Sequence, residues 1–353
     1  MPEPTGRLIV AVVTPLDAPL VDRIRTADQR LDVRYEPELL PPVRYPSDHR
    51  GDPAFRRTAE QEHRWQQLLH EAHVLFGVPG DDPEQLAHAV RGGSPQLRFV
   101  QGTAAGAGEQ VAAAGLSTAE LDRVAVTSAS GVHAGPLAEF ALLGLLAFAR
   151  GLPRLQREQA AHRWEHYPTP ELAGRTIVVL GVGAIGARIA VLAKAIGMYV
   201  IGVNASGRAP EAPVDEHVSA EQLPQVARRA DALVVTLPAT AQTVGMVDAT
   251  VLESLRPGAI IVNVGRGKVI DEQTLIQCLR TGHLAGAALD VTAREPLPAT
   301  SPLWALPNVL LSPHTAALSP RENDRIVDLF IDNLNRLLTG RELRNSITAQ
   351  RSY

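Results

Sequence analysis

Three glycines and three polar residues stand where this sequence could do chemistry. In "TIVVLGVGAIGARIA", Gly181, Gly183 and Gly186 lie directly between an apolar run and a segment with helical spacing. The first such glycine permits a tight turn, the second lets a pyrophosphate approach the backbone, and the third lets the helix pack closely on the strand. Amides at the start of that helix then face the phosphates, where unpaired N–H groups and the helix dipole favour an anion. The pattern points to a bound dinucleotide. Further on, "VNVGRGKVID", "ALDVTAREPLP" and "LLSPHTAAL" each carry a polar residue just past an apolar run: Arg266 between Gly265 and Gly267, Glu295 before Pro296, and His314 after Pro313. Alone, each reads as a solvated or capping side chain. Together, at the carboxyl ends of strands where open parallel sheets bind ligands, they read as a site.

The strand after the glycine turn, "YVIGVNASGR", ends at Asn204, where a dinucleotide-binding unit is expected to carry an acid that accepts hydrogen bonds from the ribose hydroxyls. A carboxylate there repels a 2′-phosphate, and a neutral asparagine does not. Ser206 and Arg208 follow, a hydroxyl donor and a cation where a phosphate would need them. NADP(H) is therefore expected ahead of NAD(H). The competing reading is an ordinary polar turn with Arg208 in solvent.

These residues need elements to position them. The first third alternates "RLIVAVV", "LDVRYE", "HVLFGV", "LRFVQG" and "RVAVTS" with segments of helical spacing, which predicts a parallel sheet covered on both faces. A second series, "RTIVVLG", "YVIGVN", "ALVVTLP", "AIIVNVG", "AGAALDV" and "NVLLSP", predicts another. Two such series make two doubly wound α/β lobes. Between them, "PLAEFALLGLLAFARGLPRLQ" from Pro136 predicts one long helix, apolar nearly all round at first and so buried between domains or against a second subunit. The last helix puts Ile326, Phe330, Leu334 and Leu337 on one face and is expected to return to the first lobe. Expected boundaries are 1–130 with 318–353 for a substrate domain and 131–317 for a dinucleotide-binding domain. Proline and charge make 36–53 an exposed loop of unreadable role, and "GTAAGAG" (Gly102–Gly108) reads as a tight turn facing the cleft between lobes.

Composition excludes several classes. The single cysteine among 353 residues, Cys278 in "LIQCLR", allows no internal disulfide and reads as core packing in a reducing, cytoplasmic protein. The first apolar run is broken by Thr14 and Pro15 and reads as a buried strand rather than a targeting signal. No stretch reaches the roughly 18 uncharged apolar residues of a membrane span. With a net charge of −4 and no basic run, neither nucleic acid nor a membrane is an expected partner, and no metal site is expected.

The motifs resemble those of the D-isomer-specific 2-hydroxyacid dehydrogenases, in particular their glyoxylate and hydroxypyruvate reductases. The resemblance runs through "VHAGPLAEFALLGLLAFAR", "ELAGRTIVVLGVGAIG", "TLPATAQTVGMV", "LRPGAIIVNVGRGKVIDEQTLI", "GAALDVTAREPLP" and "SPLWALPNVLLSPHTA", and is weaker in the first lobe. It implies a Rossmann domain inserted in a flavodoxin-like substrate domain, hydride transfer between NAD(P)H and a small 2-keto acid, and a homodimer with the helix from Pro136 in its interface. By the same resemblance Arg266 holds the substrate carboxylate and helps polarise the keto group. His314 exchanges the proton of the carbonyl oxygen, and Glu295 orients the imidazole and keeps it protonated near neutrality. Ala184, Ile185, Leu237, Pro238, Thr243 and Val264 line the cofactor together with the three glycines and Asn204. Asp290 lies near the nicotinamide carboxamide or is a structural strand-end residue. Backbone amides at Gly77 and Val78 in "LFGVPG" grip the carboxylate. His133 either touches substrate or caps the long helix; Trp304 is expected in an interface or the core, with a substrate contact as the alternative. A dinucleotide-responsive, corepressor-like scaffold, or a dehydrogenase of phosphite or formate, are the alternatives. The specificity loops fall where the resemblance is weakest, so glyoxylate, hydroxypyruvate and larger 2-keto acids all stay open. An additional regulatory domain, as in many phosphoglycerate-oxidising relatives, is not expected.

Overall fold

Runs of aliphatic residues form twelve strands in the computed structural model, which describes residues 7–205 and 212–348. Ser206 and Arg208 lie outside the described residues. The chain divides into two units, one running up to His133 and resuming at Leu318, the other spanning Ala134–Ala317.

In the first unit β1 (Leu8–Val12), β2 (Leu31–Arg34), β3 (Val74–Phe76), β4 (Phe99–Gln101) and β5 (Ala125–Thr127) make a five-stranded parallel sheet in the order β2-β1-β3-β4-β5, the flavodoxin-like order. The helix Glu322–Leu338 belongs to this unit, and its Phe330 ring lies 4.9 Å from Phe76 and 5.8 Å from Phe99. Ile326, Phe330 and Leu334 are buried on the face predicted for them, with Leu337 packed beside them. The loop 36–53 is more structured than its prolines suggest. Leu39 and Leu40 enter the core, and buried Asp48 accepts from the Arg44 guanidinium and from the amides of Arg44 and Gly51. The Arg44 guanidinium is the main cause that holds this carboxyl down to about 2. His49 then bonds the Asn323 side chain through Nε2 (2.9 Å), while its carbonyl accepts from the Thr14 hydroxyl (3.2 Å).

The second unit is a seven-stranded parallel sheet. It contains β6 (Thr176–Leu180), β7 (Tyr199–Asn204), β8 (Glu216–Ser219), β9 (Ala232–Val235), β10 (Ala259–Asn263), β11 (Leu284–Leu289) and β12 (Val309–Leu311), in the order β12-β11-β10-β9-β6-β7-β8. Side chains alternate between faces, as a two-residue period requires. Ile177 and Val179 of β6 pack under the helices Ala134–Ala149 and Ala184–Ala195; Val178 and Leu180 face the opposite layer with Leu252, Leu275 and Leu279. Cys278 is buried in that second layer, which pushes its thiol up.

Two elements differ from expectation. The apolar segment after Pro136 is two helices, Ala134–Ala149 and Leu152–Ala160, bent by 60° at Gly151, whose φ of 68° lies in the left-handed region that ends a helix. Strand β8 has one buried residue, Val218, so no apolar run announces it. Among the described residues no single helix is long and apolar enough to cross a membrane.

Candidate active site

The order of the second sheet reverses at β6, which has β7 on one side and β9 on the other; ligands of such sheets bind beyond the strands' carboxyl ends at that point. The glycine turn lies there. Gly181 adopts φ 98°, and a Cβ on Gly186 would fall 2.0 Å from the Gly181 carbonyl oxygen, so the helix Ala184–Ala195 can start this close to β6 only with glycine at 186. Thr236, past β9, braces the turn by donating its hydroxyl to the Gly181 carbonyl at 2.6 Å. Gly183 is exposed with nothing within 4 Å of its would-be Cβ, and no side chain caps the helix that follows. Open space against uncapped first-turn amides at Ala184 and Ile185 fits a dinucleotide pyrophosphate. Asn204 ends β7 and, as read, no carboxylate occupies that position.

The remaining cofactor candidates divide. Leu237 and Pro238 follow β9, half-buried at the same edge. The Thr243 hydroxyl is turned into its own loop, donating to the Pro238 carbonyl at 2.5 Å and accepting from the Thr240 amide at 2.8 Å; it shapes that loop rather than presenting a free hydroxyl. Val264 is buried, with its N–H on the Val235 carbonyl, so it contributes packing.

Arg266 sits half-buried between two close backbone approaches. A Cβ on Gly265 would meet the Leu237 carbonyl oxygen at 2.5 Å, and one on Gly267 would meet the Thr292 carbonyl carbon and oxygen at 2.0 Å. The arginine turn is thus wedged between the loop after β9 and the loop after β11. Buried Asn263 ties the turn from inside, accepting the Gly265 N–H at 3.0 Å and donating to the Arg266 carbonyl at 3.1 Å.

The loop after β11 carries Glu295. Its Thr292 amide donates to the Glu295 carboxylate, and its Ala293 amide donates to Glu272 at the start of the helix Glu272–Arg280. Glu295 accepts a 2.7 Å hydrogen bond from His314 Nδ1. An ionised carboxylate only accepts, so the Nδ1 proton stays on the ring and Nε2 is the nitrogen that gives or takes one. His314 itself has φ 54°, a left-handed conformation that costs a non-glycine residue about 1–3 kcal/mol. The buried Asp290 carboxylate lies against its turn: Oδ1 accepts from Ser312 Oγ (2.6 Å), the Thr315 amide (3.0 Å) and the Ala316 amide (2.9 Å).

Other expectations change. Gly77 and Val78 follow β3 in the first unit, but the Gly77 N–H already donates to the Gln101 carbonyl at 2.9 Å, so it cannot also grip a carboxylate. His133 is buried and its Nε2 is hydrogen-bonded to Glu322 Oε1 at 3.0 Å, a structural pair rather than a helix cap. Trp304 is 57% exposed, with its indole N–H on the Pro298 carbonyl, so it is not core. Sequence reading passed over Asn263, Ser312, Glu272 and Thr236; the one local signal was a polar residue ending an otherwise apolar strand, as in "AIIVN".

Known proteins resemble this chain in sequence and fold. Residues 142–316 match the family model for the D-isomer specific 2-hydroxyacid dehydrogenase, NAD binding domain. A glyoxylate reductase of Aeropyrum pernix is 32% identical over 236 residues, covering 64% of this chain and 70% of that protein. A D-3-phosphoglycerate dehydrogenase of Mycobacterium leprae is 32% identical over 79% of this chain, which spans only 53% of that longer protein. Among solved structures, a D-isomer specific 2-hydroxyacid dehydrogenase from Xanthobacter autotrophicus Py2 in complex with NADPH and MES superposes with a TM-score of 0.75 at 29% identity, covering 99% of this chain and all of the other. The chain belongs to the D-isomer specific 2-hydroxyacid dehydrogenase family. It is an NAD(P)-dependent oxidoreductase that acts on CH–OH donors, transferring a hydride between a nicotinamide dinucleotide and a small 2-keto or 2-hydroxy acid.

Gly267→Ala tests the wedge. Since the clash is with backbone, the loops of Arg266 and Glu295 must separate, and kcat/KM for keto-acid reduction should fall by about 10²-fold, the cost of a displacement near 1 Å. Unchanged kinetics would show that the two loops need not touch.

Proposed function

We propose that this protein is an NADPH-preferring reductase of small 2-keto acids of the glyoxylate and hydroxypyruvate kind, with Arg266, Glu295 and His314 as its catalytic residues. The 2.7 Å bond between His314 Nδ1 and Glu295 carries the reading, because it leaves Nε2 as the proton-exchanging atom. When bound, the reduced nicotinamide supplies the hydride. The Arg266 guanidinium receives the substrate carboxylate through two charge-assisted hydrogen bonds and draws electron density from the adjacent keto group. His314 delivers the Nε2 proton to the carbonyl oxygen as that oxygen gains charge, and recovers it in the reverse direction. Glu295 stabilises the charged ring. An intact acid–carboxylate pair supports chemistry over a scaffold role. The second unit, which contains the family's NAD binding domain, carries the cofactor. The single, buried Cys278 suits a reducing compartment such as the cytoplasm.

The preference for NADPH rests on Asn204 in place of an acid, with Ser206 and Arg208 following in sequence. A homodimer is supported by large apolar side chains left exposed on the two helices after the first unit, Leu143 and Leu146 on one and Leu152 and Leu155 on the next.

His314→Ala should lower turnover by roughly 10²-fold or more while NADPH still binds; a fully active variant would remove the assignment. With Glu295→Gln the reduction rate should begin to fall at a lower pH than in the parent enzyme, and an unmoved pH–rate profile would uncouple the pair. Steady-state kinetics should give a higher kcat/KM with NADPH than with NADH, and Arg208→Ala should cost about 1–3 kcal/mol with NADPH alone. Equal or better use of NADH by the parent enzyme would refute the preference. Light scattering should find twice the chain mass, and a monomer at working concentration would contradict the dimer.

A further inference from the structure

Asp290 is placed by family resemblance near the nicotinamide carboxamide, and within the protein its Oδ1 bonds to the turn that carries His314. The residue is 2% exposed at the end of β11. Its Oδ1 takes the Ser312 hydroxyl at 2.6 Å and the consecutive amides of Thr315 and Ala316 at 3.0 and 2.9 Å, while its carbonyl takes the His314 amide at 2.9 Å. All four donors belong to the turn that carries His314. An ionised carboxylate is the acceptor-only group that suits such a set. The turn needs restraint, because His314 is held at φ 54° and its imidazole is half in solvent, hydrogen-bonded to Glu295. The neighbouring strand repeats the device. Asn263 at the end of β10 uses its side chain to hold the turn of Arg266, and the Asp290 amide donates to the Asn263 carbonyl at 3.0 Å, which links the two braces.

We propose that Asp290, together with Ser312, is a positioning residue for His314: the buried carboxylate fixes the left-handed turn and so aims Nε2 at the carbonyl oxygen of the substrate. This rests on the reading of His314 as the acid. Losing the brace leaves the histidine present and titratable but free to sample backbone conformations in which its proton is misplaced. The effect falls on kcat and not on cofactor affinity, in contrast to a direct carboxamide contact.

The test compares Asp290→Asn, Ser312→Ala and His314→Ala, singly and in pairs, by NADPH fluorescence titration and by turnover with glyoxylate or hydroxypyruvate at saturating NADPH. Asp290→Asn is expected to lower kcat by about tenfold or more and Ser312→Ala by several-fold, with the NADPH Kd within about twofold of the parent; in the His314→Ala background neither should lower kcat further. Should Asp290→Asn not fold, Ser312→Ala, which removes one hydroxyl, carries the same comparison. A weakened NADPH Kd with kcat preserved would return Asp290 to the cofactor and overturn the proposal. Full loss on top of His314→Ala would make it a general structural residue and overturn it equally. A His314→Ala enzyme of normal turnover would bring down the acid assignment and the proposal with it. That result is distinguishable from an inactive His314→Ala enzyme beside a fully active Asp290→Asn, in which the positioning role alone fails.

Discussion

A parallel sheet can be built only with crossovers that return every strand to the same edge, and the second unit depends on that constraint. Its β6, β9, β10, β11 and β12 all end at one edge, and each is followed there by a segment with a polar task. The glycine turn, the Leu237–Pro238 loop, the Arg266 turn, the Glu295 loop and the His314 turn are neighbours because their strands are. No single loop needs to reach far, so each can be short and stiff.

Burial makes those loops exact in position. Asn263 and Asp290 are polar residues at the ends of apolar strands, 1% and 2% exposed. A polar group so buried costs free energy unless its hydrogen bonds are made inside the protein. Their partners are the turns of Arg266 and His314. The bonds that satisfy the core are therefore the ones that shape the site, and a change in either strand end is felt by a functional side chain. Glycine acts in the same way from outside: Gly265 and Gly267 let the Arg266 turn press against two flanking backbones, which a single added methyl would force apart.

The two histidine–carboxylate pairs illustrate how setting decides role. His133 and Glu322 are buried together within the first unit, where removing one partner would leave a buried polar group without its hydrogen bond. His314 and Glu295 have side chains 46% and 39% exposed. An ion pair so open to water contributes little to stability. What it fixes is the tautomer and direction of the ring, which matters to proton transfer and hardly at all to folding.

The strands, the glycine turn and the absence of an acid at 204 were legible in the sequence because each rests on physics within a few residues: a continuous apolar run, the size of a Cβ, the charge of one side chain. The α/β class followed from these, and the family from the resemblance of longer motifs. Strand β8 was not legible, since with one buried residue it is recruited by β7 rather than by its own pattern. Nor was the break at Gly151, or the ordering of 36–53 around Asp48, where prolines and charges that mark an exposed loop are held by partners the loop itself supplies. The sequence by itself determined that Arg266, Glu295 and His314 stand just past strands; only the tertiary structure decided what holds them. Asp290 meets Ser312 and Ala316 across 22 and 26 residues of chain, and the meeting exists because β11 and β12 pair in one register, with Leu289 beside Leu311. Register is set by the packing of whole layers, which no short stretch of sequence contains.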